Sequence, residues 1–260
     1  PCECRPRATA SAWGMFDAAA ATGASPAEPS GEVAGPPEAF AHPLLALMPE
    51  RLQARLRECG QVRELRAGER LAGRPVVGFV QQGALALVEE RVGVSVEMHG
   101  AGSIFGWETC LSVAVAPPAF LAVLPTRWIE APSLALNELM GEAWMEHVFA
   151  RHALDRLARI QADAACNAVH QVPQRAADWI QALCRIAGPE LRTTQAILAR
   201  ALGVQRTSVN AAMKLLERDG AVRLSRGRLL VLDPDRLAHS ACGCRSASRQ
   251  GRAPPSLAAP

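Results

Sequence analysis

The sequence predicts an α+β chain in three structured parts: a compact sandwich or barrel of short strands, then a long helix, then a small winged helix-turn-helix module. Three observations lead there. Between about Phe40 and Glu130, short apolar runs are punctuated by glycine: "VVGFVQQGALALVEE", "VGVSVEMHGAGSIFGW" and "AFLAVLPTRWIEA". From Ser133 to His170 helix breakers are almost absent. From Leu191 to Leu232 eight cations (Arg192, Arg200, Arg206, Lys214, Arg218, Arg223, Arg226 and Arg228) stand against two anions, Glu217 and Asp219, a net +6 in a 260-residue chain of net +3. The remainder therefore carries −3. A basic module on a mildly acidic body suggests a polyanionic partner, nucleic acid first.

The elements follow in order. Residues 1–40 are rich in Ala, Pro, Gly and Ser without periodicity, and are expected to be disordered. Leu44 to Cys59 reads as a short helix. Val94, Val96 and Met98 alternate with polar residues, as in a half-buried strand. Several such strands with glycine turns imply a closed or double-sheet β-structure. Ser133 to His170 reads as a short helix followed by a long one. On the long helix Leu154, Leu157, Ile160 and Ala164 recur at spacings of three and four, while Asp155, Arg156 and Arg159 occupy other faces. Such a stripe packs within the chain or against a second copy, and periodicity does not choose between them.

The C-terminal part is the most specific. Pro173 opens a helix carrying Ala176, Trp179, Ile180 and Leu183, at a first-turn position proline tolerates. Thr194 suits the N-cap of a helix burying Ile197, Leu198, Ala201 and Leu202. Gly203 supplies the tight turn of a helix-turn-helix. The second helix buries Val209, Met213 and Leu216, and its opposite side presents Arg206, Thr207, Asn210, Lys214 and Arg218. Those are donors and acceptors of the kind that read base edges and grip phosphates. Gly220 ends it near the position of a C-cap glycine. Two strands, "AVRL" and "RLLVL", are joined by Ser225-Arg226-Gly227-Arg228, a hairpin tip with two arginines placed as a wing. A helical bundle with an exposed polar face is the competing reading, and the basic hairpin argues against it.

Composition excludes other classes. With 49% hydrophobic and 20% charged residues the chain is globular in type. Lys214 is the sole lysine and tyrosine is absent, a skew we read as coding bias. The longest apolar run, Leu111 to Leu124, is broken by Pro117 and Pro118 and is shorter than the roughly 20 residues a membrane span needs. Asp17 interrupts any signal-like stretch after Arg5 and Arg7, so a cytoplasmic protein is expected. Eight cysteines include no CxxC pair; Cys2/Cys4 and Cys242/Cys244 are CxC pairs, and we expect idle or buried thiols and no metal. No nucleophile elbow, Walker loop or HExxH is present, "HGAGSIFG" is a strand-linking segment, and Glu89 and Glu90 would face opposite ways on a strand. No enzyme is expected.

Here the sequence resembles the Crp/Fnr family of transcription regulators, over residues 42 to 240. The resemblance is carried by "LARALGVQRTSVNAAMKLLERDGAV", "RGRLLVL", "AACNAVHQVPQRAADWI" and, more loosely, "ELRAGERL", "GFVQQGALALV" and "GAGSIFGW". It implies an N-terminal β-roll (a double-stranded β-helix or jelly roll of the cyclic-nucleotide-binding-like kind) over 41–132, a dimerisation helix over 133–171 and a winged helix-turn-helix over 172–239. Residues 240–260 would be a disordered tail. It further implies a bacterial homodimer on double-stranded DNA, with the second helix of the motif in the major groove and RNA polymerase as a further partner. The DNA-binding positions are then Thr194, Gln195, Gln205, Arg206, Thr207, Ser208, Asn210, Lys214, Arg226 and Arg228. Arg206 matches the family's base- or phosphate-contacting arginine. Thr207 stands where many members have Glu, Ala211 where some have a second arginine, and Gln205 where Ser often caps the helix, so the family's familiar operator is not implied.

The sensor part departs further. Cyclic-nucleotide binders in this family hold the phosphate with Gly-Glu-Leu and a following Arg-Ser or Arg-Thr. Here the stretches are Gly106-Trp107-Glu108 and Pro117-Pro118-Ala119, with no Arg or Lys between Arg91 and Arg127 to fork onto a phosphate. Glu108 is expected to be a solvated or locally paired carboxylate. Cys2 and Cys4 lack the close third cysteine an iron–sulfur cluster would use. Haem would need a histidine in an open pocket. His99 reads as a turn or surface residue, and His147, His152 and His170 as packing or polar-face residues of the long helix. No cofactor is expected. Two alternatives stay open: a redox, metal (Fe–S or haem) or small-molecule sensor of the same fold, and a scaffold module whose winged helix binds protein instead of DNA.

Overall fold

The computed structural model describes residues 40–45, 48–89, 94–110, 117–137 and 143–245; the extension expected to be disordered lies almost entirely outside the described residues. Helix α1 (Glu50–Cys59) buries Leu52 and Leu56, four apart on one face. Among the described residues eight strands follow: β1 (Gln61–Leu65), β2 (Arg70–Leu71), β3 (Val76–Gln82), β4 (Ala84–Glu89), β5 (Val94–Gly100), β6 (Ile104–Phe105), β7 (Ala119–Ala122) and β8 (Thr126–Pro132), with a 3-10 turn at Trp107–Cys110 between β6 and β7. They form two four-stranded antiparallel sheets in the orders β1-β8-β3-β6 and β2-β7-β4-β5. This is the double-sheet β-structure expected from the glycine-punctuated runs, and the β-roll that the resemblance implies.

Strand alternation sorts the side chains into layers. Leu65, Val80, Leu85, Leu87, Phe105, Phe120 and Trp128 meet between the sheets. Their neighbours on the other face of the first sheet, Val77, Phe79, Ile129 and Ala131, pack against α1 and α2 (Ser133–Asn137). On the second sheet the outward Ala84, Ala86, Val88 and Leu121 are buried as well, because the C-terminal module packs over them. Burial on both faces is why "ALALV" is continuously apolar instead of alternating.

Helix α3 (Ala143–Val169) is the long helix, and it turns into α4 (Val172–Ala187), where Pro173 sits in the first turn. The C-terminal module comprises α4, β9 (Glu190–Leu191), α5 (Gln195–Leu202), α6 (Arg206–Arg218), β10 (Val222–Ser225), β11 (Arg228–Val231) and α7 (Pro234–Ser240). The third sheet has the order β10-β11-β9.

Three placements differ from the sequence reading. His99 is neither in a turn nor at the surface: it lies in β5, 3% exposed, edge-on to Phe105 and Phe120. Strand β9 and helix α7 carry no periodicity of their own; the first is two residues long, and the second is fixed by the Asp233 cap, which accepts from the Asp235 and Arg236 N–H groups. Residues 241–245, assigned from sequence to a disordered tail, are held against α3 and α4: Ala241 joins the core, and Arg245 bonds Asp178 and Asp163.

Candidate nucleic-acid interface

The helix-turn-helix is built from local signals. Thr194 Oγ1 accepts the Ile197 N–H at 3.2 Å and starts α5. Gly203 takes a left-handed conformation (φ 66°) that closes α5, and Val204 N–H returns to the Ala199 carbonyl at 3.0 Å. Helix α6 then begins at Arg206. Its N-cap, Gln205, makes no side-chain capping bond, in keeping with its poor suitability for that position. Val209, Ala212, Met213 and Leu216 are buried at 0–1% exposure and seat α6 on α4 and α5. That burial fixes the rotation of the helix, so Arg206, Thr207, Ala211, Lys214 and Arg218 point to solvent.

The predicted residues are not all equivalent. Arg206, Thr207 and Lys214 form the exposed stripe; Thr207 Oγ1 donates to Gln205 Oε1 at 3.5 Å. Ser208 and Asn210 are half-buried. Gln195 Nε2 donates to Asn210 Oδ1 at 3.4 Å, so these two amides tie α5 to α6 at the edge of the stripe. Thr194 has its hydroxyl engaged as the cap.

Antiparallel pairing of Val222 with Val231 and of Ser225 with Arg228 places Arg226 and Gly227 at the hairpin tip. Arg226 is exposed; Arg228 Nη1 lies 2.8 Å from Glu190 Oε1 across the sheet. Both groups of that pair are about half exposed, so the contact is weak and can exchange for a phosphate. Glu217 Oε1 accepts the Leu224 N–H at 2.7 Å, fastening α6 to the first wing strand.

A second polar constellation lies where α3 crosses the β-roll. Glu97, 2% exposed on β5, meets Arg156 Nε at 2.6 Å, Arg159 Nη2 at 3.2 Å and His99 Nε2 at 3.4 Å. Burial pushes the Glu97 carboxyl up, but His99 and the two guanidiniums outweigh it and hold the pKa at about 2. Arg156 Nη1 also binds Glu108 Oε1 at 3.0 Å, so Glu108 is a paired carboxylate. Beside them Trp107 stacks on Phe149 at 5.1 Å, with His152 edge-on to Trp107 at 5.8 Å. Burial, with His99 and Arg159 nearby, lowers the His152 pKa to about 4.

Sequence spacing missed one grouping. Cys166, His170, Cys242 and Cys244 offer ligand atoms that all lie within 4.8 Å of one another. No helix among the described residues is long and apolar enough to cross a membrane.

Comparison with known proteins agrees with this geometry. Residues 174–240 match the family described as "Crp-like helix-turn-helix domain". No curated protein matches the chain. Among solved structures, a Crp/Fnr-family transcriptional regulator from Eubacterium rectale superimposes with a TM-score of 0.60 at 17% identity, covering 78% of this chain and 98% of that one. A Crp/Fnr-family regulator from Thermus thermophilus gives 0.56 at 21% identity, covering 69% and 97%. A c-di-GMP-responsive global regulator from Xanthomonas campestris gives 0.54 at 15% identity, covering 70% and 99%. The resemblance read from the sequence is thus borne out: residues 174–240 are a Crp-like helix-turn-helix domain, and the described chain carries the fold of Crp/Fnr transcription regulators.

Proposed function

We propose that this chain, with its Crp/Fnr-type fold and helix-turn-helix DNA-binding domain, is a homodimeric, sequence-specific transcription regulator. The observation that carries the reading is the exposed Arg206, Thr207 and Lys214 stripe, held in rotation by the buried Val209, Met213 and Leu216 and flanked by the arginine wing. The opening residues of α6 would read base edges, and Arg226 and Arg228 would take phosphates. Leu154 and Leu157, 67% and 52% exposed on α3, form an apolar face that a second copy of α3 would cover.

The sensor reading follows from charge. Arg156 and Arg159, the cations that α3 turns toward the β-roll, are already committed to Glu97 and Glu108. By the resemblance, Pro117-Pro118-Ala119 stands where the phosphate-binding arginine pair belongs. A cyclic phosphate would thus find no arginine at that place, which supports a sensor for a signal other than a cyclic nucleotide.

The test is binding to DNA selected from a random pool, followed by fluorescence anisotropy. Arg206→Ala is expected to cost about 1–3 kcal/mol on the selected site and to relax its specificity. Arg226→Ala with Arg228→Ala should weaken binding to all sequences alike and reduce the salt slope by about one per lost phosphate contact. Normal footprinting by Arg206→Ala would overturn the base-reading role of that arginine, whereas affinity insensitive to salt would overturn DNA binding in favour of a protein-binding winged helix.

A further inference from the structure

We propose that Cys166, His170, Cys242 and Cys244 form a tetrahedral site for a thiophilic divalent ion, Zn²⁺ by chemistry, that clamps the end of the DNA-binding module onto the exit of the long helix. The distances carry the argument. Cys166 Sγ lies 3.5 Å from Cys242 Sγ, and Cys244 Sγ lies 3.6 Å from His170 Nδ1. A tetrahedron with Zn–S of about 2.3 Å and Zn–N of about 2.0 Å has edges of roughly 3.8 Å between sulfurs and roughly 3.5 Å between sulfur and nitrogen. All four ligand atoms fall within 4.8 Å, so an ion at the centre needs only a slight adjustment of the side chains.

The chain builds this from two short pieces. Cys166 and His170 are four residues apart at the exit of α3, Cys166 in its last turn and His170 directly after it, where His170 N–H still donates to the Cys166 carbonyl at 3.0 Å. Cys242 and Cys244 follow α7. Gly243 between them has φ 74°, a conformation L side chains rarely adopt, and that reversal lets both sulfurs approach one point. The loop is pinned on both flanks. Cys242 N–H donates to the Gln174 carbonyl at 3.3 Å. Arg245 N–H donates to Asp178 Oδ2 at 3.0 Å, its guanidinium to Asp163 Oδ2 at 3.0 Å, and that guanidinium lies 4.2 Å over the Trp179 ring. Bonds to α3 and α4 therefore hold the ligands in place without help from an ion.

The donor set selects the ion. Three thiolates with one imidazole is a known structural zinc set, and sulfur ligands disfavour Mg²⁺ and Ca²⁺. Thiols are weak hydrogen-bonding groups, so gathering three of them gains little by itself. As thiolates, three sulfurs at this spacing repel unless a cation sits among them. The site joins the exit of α3 to the segment after α7, with ligands up to 78 residues apart in sequence. Loaded, it fixes the module relative to the long helix; this site stands independently of the DNA-binding reading.

The test uses the full chain, reduced and handled anaerobically, titrated with Co²⁺ as a spectroscopic stand-in. One Co²⁺ per chain should give thiolate-to-metal charge-transfer bands with the intense visible bands of tetrahedral cobalt, and Zn²⁺ should bleach them. Cys242→Ser and Cys166→Ser should each lower the affinity by about 100-fold or more, whereas Cys184→Ser should leave it unchanged. A wild-type protein that gives no tetrahedral cobalt spectrum would overturn the proposal. So would a spectrum that persists in Cys242→Ser, or peptide mapping that finds Cys166 and Cys242 joined as a disulfide in protein that refuses zinc.

Discussion

Glu97 is a carboxylate almost out of reach of water, and it stays ionised because His99, Arg156 and Arg159 surround it. Nothing in the local sequence announces this, since "VSVEMHG" reads as one alternating strand and both arginines lie some 60 residues away. His152 stands beside the network and is held neutral, its pKa lowered to about 4 by burial and by the nearby charges of His99 and Arg159, against the pull of Glu97. His42, in contact with Phe79, is lowered to about 4 by burial too. The sign follows from linkage: the unfolded chain binds protons at these histidines below about pH 6.5, the folded chain not until about pH 4. Stability is therefore fully present above pH 6.5 and drains away as pH falls toward 4, at up to about 1.4 kcal/mol per pH unit for each histidine. Urea unfolding of His152→Gln between pH 7.5 and 5 should show a shallower pH slope than the wild type, and equal slopes would remove His152 from the account. Any metal-linked part is common to both proteins and cancels in the difference.

Single helices show what was legible and what was not. The module could be read because its signals are local: the Thr194 cap, the Gly203 turn and the Val209, Met213, Leu216 spacing all lie within a few turns of each other. Thr194→Ala should cost about 1 kcal/mol in thermal or urea unfolding, the usual worth of such a cap. The four-ligand cluster could not be read, because an i,i+4 pair at the exit of α3 and a CxC loop after α7 are matched only by the fold. For α3, periodicity supplies an apolar stripe without its partner. In the single chain Arg156 and Arg159 turn toward the β-roll, and Leu154 and Leu157 are left outward. Leu154→Glu combined with Leu157→Glu should convert a dimer to a monomer by light scattering while circular dichroism stays unchanged. A wild-type monomer, or a dimer that survives the double substitution, would place the dimer contact elsewhere or remove it.

Across the whole molecule the cores are not separate. One apolar cluster runs from Ala84, Ala86 and Leu121 of the second sheet into Ile180, Leu183, Leu198 and Met213 of the C-terminal module. Ile186 at the end of α4 packs so closely on the β5 backbone that a Cβ at Gly100 would lie 2.6 Å from its Cδ1, which leaves glycine as the residue that fits without displacing it. A shared core makes the two parts unfold together, as contact across an interface couples their stabilities. Trp128 lies between the sheets and Trp179 on α4, so variants keeping only one of these tryptophans report on the two parts separately. Their urea midpoints should coincide. Ile186→Asp, which puts a charge into the interface, should split them, the module unfolding at lower urea than the β-roll. The split matters for function as well as stability. The same contact that couples unfolding would let a change in the β-roll shift the module, because a ligand moves an equilibrium only through contacts that differ between its two states. If the midpoints already differ in the unsubstituted interface, the sheet contact couples the two parts weakly, and any coupling of the β-roll to the exposed face of α6 would run through α3 and its turn into α4.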